Sequence, residues 1–183
     1  MSAVRTNFLQ SAFIFAVVVV AAAFQDMLPS FGGAKAPLLL LAVLHWAFTE
    51  PRRNTRRSAP TELPYWIPAA ILAGVFEDAL SGFPLGCAVS FMVLAGVAAR
   101  FIRRTVTDIP SAFLGLTAAI LAAPLHELWL AVWGLVGDAP SLTVRFFASA
   151  FPSAPAGVLM FIVLPFLELH TGFKGYNPNG GDA

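Results

Sequence analysis

The sequence predicts an all-α integral membrane protein that crosses the bilayer six times, with both termini in the cytoplasm. Three observations carry this prediction. First, of 183 residues, 58% are hydrophobic and 11% charged, against roughly 45–50% and about 25% in an ordinary soluble domain. Mean hydropathy is +0.77. A chain this short has too much surface for its volume to hide that apolar excess from water, so the excess must face lipid. Second, the apolar residues fall into runs separated by turn-rich breaks. Third, the positive charges segregate by side once the runs are counted. The same numbers exclude other classes. Disorder needs low hydrophobicity and high charge. A net charge of +1 is no footprint for nucleic acid. The single cysteine, Cys87, permits neither an internal disulfide nor a thiolate metal cluster.

A transmembrane helix needs about 20 apolar residues. The first run covers residues 8–28 and reads as an uncleaved span, although Arg5 before it and small residues after it imitate a signal peptide. Pro29-Ser30-Phe31-Gly32-Gly33 breaks it. The second span, residues 37–48, is short enough that a re-entrant helix is its alternative. It ends before Arg52, Arg53, Arg56 and Arg57, a segment no hydrocarbon core accepts. The third span covers residues 64–82, with Tyr65 and Trp66 expected at the interface. Pro84 turns the chain into the fourth, residues 85–102, which closes on Arg100, Arg103 and Arg104. Asp108-Ile109-Pro110 is a helix-start signal. The fifth span runs from there to about residue 136, with Pro124 as an expected kink. Residues 142–151 carry Arg145 and are assigned to the interface, and residues 152–169 to the sixth span. The transmembrane domain is thus 1–174, and 175–183 reads as a flexible cytoplasmic tail.

An even number of crossings puts both termini on one side. Arg5, Arg52, Arg53, Arg56, Arg57, Arg100, Arg103, Arg104 and Lys174 then fall together, nine of eleven positives. Only Lys35 and Arg145 fall opposite. Short-loop Lys and Arg stay cytoplasmic, which orients the bundle.

Charged groups within the spans need a reason. Ala70, Gly74, Asp78 and Gly82 recur every four residues, one narrow face of small residues and a carboxylate that lets another helix approach closely. Glu77 lies about 100° away around the helix. Asp78 either binds a cation, ligand or proton, or accepts backbone amides at the Ser81–Gly86 turn and holds the hairpin of spans three and four. Its place about one turn from the span's end favours the hairpin. Gly82 and Gly86 stand at GxxxG spacing, but Pro84 between them makes this a turn and not a dimer motif. His126 and Glu127 form a second polar pair. Position 130 is Leu130, so the zinc-protease pattern fails, and a relay or a pair satisfied within the bundle remains. His45, Trp46, Glu168 and His170 sit near inner ends, where interfacial anchoring is expected. No nucleophile elbow, phosphate loop or dinucleotide glycine pattern occurs, so neither catalytic residues nor a cofactor is expected.

The stretch Gly74-x-x-x-Asp78-x-x-Ser81-Gly82-x-Pro84-Leu85-Gly86 resembles the signature of the rod shape-determining protein MreD family, whose members are similar in size, span number and loop pattern. One departure is visible, Pro37-Leu38 where the family often carries Pro-Asp. The resemblance implies a fold similar to the S-components of energy-coupling-factor vitamin transporters. It implies a non-enzymatic scaffold of the bacterial elongation machinery in the cytoplasmic membrane, supporting peptidoglycan synthesis and cell shape. The implied partners are MreC and, through it, the RodA glycosyltransferase, a class B penicillin-binding transpeptidase and the MreB filament. The alternative is a small-ligand-binding transporter subunit with a cavity lined by Asp78, His126 and Glu127. An intramembrane enzyme would rest on His126 and Glu127 alone. The Arg52–Arg57 loop is expected to meet anionic headgroups or a cytoplasmic partner, or else to set topology alone.

Overall fold

The computed structural model describes residues 2–31, 34–49, 64–82, 84–105, 110–133 and 142–171. Among them are six helices: α1 (Ser2–Met27), α2 (Leu38–Thr49), α3 (Trp66–Ser81), α4 (Cys87–Thr105), α5 (Ser111–Val132) and α6 (Leu142–Thr171). The basic segment 52–57, Asp108, Lys174 and the tail lie outside the described residues.

α2 organises the bundle. Its twelve residues read LLLLAVLHWAFT, apolar all round, and every side chain from Leu39 to Phe48 is buried. A helix without a polar face is satisfied only by being surrounded. α1, α3, α4, α5 and α6 all pack against it, and α1–α3, α3–α4, α4–α5 and α5–α6 are neighbouring pairs around it. The chain enters α2 through a tight reversal in which Phe31 and Ala34 exchange backbone hydrogen bonds of 2.8 and 2.9 Å. Gln25 of α1 then accepts the Leu39 amide at 3.2 Å, meeting one donor that a helix start leaves open. The short second span of the sequence is therefore a central helix that other helices, not lipid, enclose.

The outer surface is apolar. Phe15, Phe24, Leu94, Phe101, Leu121, Phe147, Phe151, Ile162 and Phe166 are all exposed. In water such a surface would be an aggregation hazard; in a bilayer it is the expected one. Three helices, α1 from Gln10 to Met27, α5 from Ala112 to Val132 and α6, are long and apolar enough to cross a membrane.

Two boundaries differ from the sequence expectation. Residues 142–151 are not a separate segment: α6 runs unbroken from Leu142 to Thr171 through Pro152, Pro155 and Pro165. Two things permit it. Arg145 is paired with Glu127 at 2.9 Å. Ser149 Oγ donates to the Phe146 carbonyl, and Ser153 Oγ to that of Ser149, keeping polar groups paired along the proline-bearing stretch. Trp66 is not an interfacial anchor either. It is 5% exposed, packed where a Cβ on Gly96 would stand 2.5 Å from its ring.

α3 and α4 form an antiparallel hairpin whose contacts climb one helix as they descend the other: Trp66 on Gly96, then Gly74 on Val89, where a Cβ on Gly74 would run into the Val89 backbone. α5 and α6 form a second hairpin, closer still. A Cβ on Gly115 would meet the Gly157 carbonyl oxygen at 2.5 Å, and one on Gly157 would stand 2.6 Å from the Ala119 Cβ. Small residues let backbones touch where lipid offers no hydrophobic drive between helices.

Candidate functional site

The Ala70-Gly74-Asp78 face points into the α3–α4 hairpin, as the four-residue spacing predicts, and all three residues are buried. α3 ends on Gly82 at φ 68°, its amide bonded to the Asp78 carbonyl. Gly86 takes φ 103°, a second position that suits glycine. Ser81 and Pro84 are exposed on the turn, and the Pro84 carbonyl accepts the Cys87 amide at 3.1 Å. Gly86, which precedes α4, has no side chain with which to cap it. Asp78 does so from the neighbouring helix: Oδ2 accepts the Gly86 N–H at 2.8 Å and Oδ1 the Ala88 N–H at 2.7 Å. The carboxylate also sits against the positive end of the α4 dipole. Of the two readings of Asp78, the hairpin clasp is the one the geometry fits.

The structure brings Glu77 and His126 together. Glu77 Oε1 faces His126 Nε2 at 3.3 Å across α3 and α5. These helices make no backbone contact of their own among the described residues. The Phe91 ring lies 5.0 Å from the imidazole, centroid to centroid. Glu127 turns the other way and pairs with Arg145. Trp129, one turn on, donates its indole N–H to the Cys87 carbonyl at 3.0 Å and ties α5 to the start of α4.

A second polar joint lies at the opposite end of the bundle. Glu168 of α6 is 1% exposed, and its Oε1 accepts the Trp46 indole N–H at 3.0 Å and faces His45 Nε2 at 3.3 Å. The Phe161 ring stands edge-on to His45, centroids 5.1 Å apart. Interfacial anchoring was the wrong expectation for His45, Trp46 and Glu168. Distance from the helix end says nothing about which face a residue occupies, and these three face inward. His170 alone stays exposed, its Nδ1 2.8 Å from the Phe166 carbonyl oxygen. Sequence reasoning missed this joint because its members are 122 and 123 positions apart. The available signal was a glutamate standing in the otherwise apolar run of residues 156–169.

Among the described residues no group of three or more His, Cys, Asp or Glu side chains could hold a metal ion. Compared with protein-family models, with curated proteins and with solved structures, the chain matches none.

Proposed function

We propose that the chain is a non-enzymatic membrane scaffold of the MreD type, binding MreC and through it the elongation machinery. The observation that carries this reading is the use made of the resembling stretch. Gly74, Asp78, Gly82 and Gly86 all serve one hairpin, with Asp78 fully occupied by the Gly86 and Ala88 amides. A signature spent on architecture suits a protein that presents a shape. In this reading all six helices cross the cytoplasmic membrane and both termini lie inside. α2 need not match the bilayer, since at about 18 Å it is enclosed by its neighbours.

The test is capture of the full chain from native bacterial membranes, with mass spectrometry of proteins and small molecules together. Stoichiometric recovery of MreC supports the scaffold. A small molecule retained by the wild-type chain and lost on Asp78→Asn, without MreC, supports the transporter-subunit alternative.

A further inference from the structure

The bundle divides into a body, α1–α4, and the α5–α6 hairpin. The hairpin is stiff within itself, because Gly115 and Gly157 bring its backbones into contact and Glu127–Arg145 ties its outer end. Its polar links to the body lie at two places. Arg145 and Glu168 are 23 positions apart on α6, about 35 Å, so these places stand at opposite ends.

The two joints differ in kind. At the inner joint the Glu168 carboxylate accepts the Trp46 indole N–H and is hydrogen-bonded to His45, whose Nδ1 is without a partner. At the outer joint Glu77 Oε1 and His126 Nε2 are 3.3 Å apart, yet the imidazole nitrogen makes no hydrogen bond, and Glu77 Oε2 is likewise without a partner. Both residues are buried, at 4% and 5% exposure. A buried polar atom without a partner is costly, and the neighbours offer no relief. Asp78, on α3, is spent on backbone amides; Glu127, on α5, is spent on Arg145 of α6; the start of α4 brings the buried Cys87.

We propose that Glu77 and His126 form a proton-dependent latch that fastens the outer end of the α5–α6 hairpin to the body, with the Glu168 joint as its hinge. With one proton on the pair, that proton bridges Glu77 Oε1 and His126 Nε2 and holds α5 to α3 with no net charge buried. When that proton passes to water at the outer face, the carboxylate is left buried without a counter-charge, and separation lets water reach it. The Trp129–Cys87 hydrogen bond, which also ties α5 to the body at that end, opens with the latch. This inference goes beyond the scaffold reading and does not depend on it.

Electron–electron distance measurements on the full chain in lipid nanodiscs test it. A Cys87→Ala chain carries spin labels at Leu80→Cys and Val132→Cys, both exposed at the outer end. A second chain carries them at Phe101→Cys and Leu169→Cys, exposed at the inner end. Between about pH 5 and about pH 9, a range that brackets the ionisation of a buried carboxyl group, the outer pair gains a longer-distance population at the higher pH and the inner pair does not change. Glu77→Gln abolishes the response, and so does His126→Gln should the first variant fold poorly. Identical outer distances at both pH values overturn the proposal. So does equal widening at both ends, or a pH response that survives in a folded Glu77→Gln or His126→Gln chain.

Discussion

Asp78 offers the sharpest test of the hairpin. Replacing it with alanine strands two backbone amides, those of Gly86 and Ala88, that now donate to its oxygens at 2.8 and 2.7 Å. Ala88 is fully buried, so water does not replace the lost acceptor cheaply. Hydrogen bonds to a charged group contribute about 1.5–3 kcal/mol each, which gives a loss of about 3–6 kcal/mol for the pair. For a chain of this size each kcal/mol moves the melting temperature by about 2–4 °C, so a drop on the order of 10 °C is expected. Asp78→Asn keeps one carbonyl oxygen but turns an NH2 group toward the other amide, and should lose about half as much. Thermal unfolding in detergent, followed by circular dichroism and by monodisperse elution, reads the effect. A ligand-site role predicts normal melting with lost binding. If Asp78→Ala melts within about 2 °C of the wild type, the clasp is not what holds α3 to α4.

Other joints give further expectations. Gly157→Ala puts a methyl group among backbone and Cβ atoms of α5 that cannot yield; an overpacking cost of about 1–3 kcal/mol follows, visible as a lower melting temperature, whereas the same change at Gly82 is opposed by its φ of 68° and not by crowding. Trp46→Phe keeps the ring but removes the N–H that Glu168 accepts, costing about 1.5–3 kcal/mol; a melt unchanged from wild type would show that Glu168 is satisfied otherwise. Arg145→Gln leaves Glu127, 6% exposed, without its counter-charge; stability should fall, and the double variant with Glu127→Gln should recover most of the loss, since the penalty lies in the unpaired charge. Reporter fusions within 52–57 should report the same side as the N-terminus; opposite sides would refute an even number of crossings.

The parts legible in the sequence were those written locally. The α3–α4 hairpin announces itself through Ala70, Gly74 and Asp78 on one face and through Gly82, Pro84 and Gly86 at the turn, all within 17 residues. The start and end of α2 fall within a residue of the apolar run. What stayed hidden depends on direction or on distant partners. An all-apolar helix has no face to read, so the burial of α2 could not be told from a thin or re-entrant span. Arg145, weighed without Glu127, assigned residues 142–151 to the interface. Gly115 and Gly157 carry no signal beyond being small, and their meeting is visible only once α5 lies against α6.

The ionisable groups within the bundle follow one rule. Between helices in lipid the hydrophobic effect contributes little, so packing and polar joints must supply the adhesion. Asp78 joins α3 to α4, Glu127 joins α5 to α6 through Arg145, and Glu168 joins α6 to α2. Each charge stands where two helices must be held, and each has its donors. Each of these three carboxylates joins a different pair of helices. Glu77 is the exception, with a carboxylate oxygen unmatched and an imidazole near but not bonded. In a bundle where the other acidic side chains described within α3, α5 and α6 are committed, the uncommitted one marks the joint able to change.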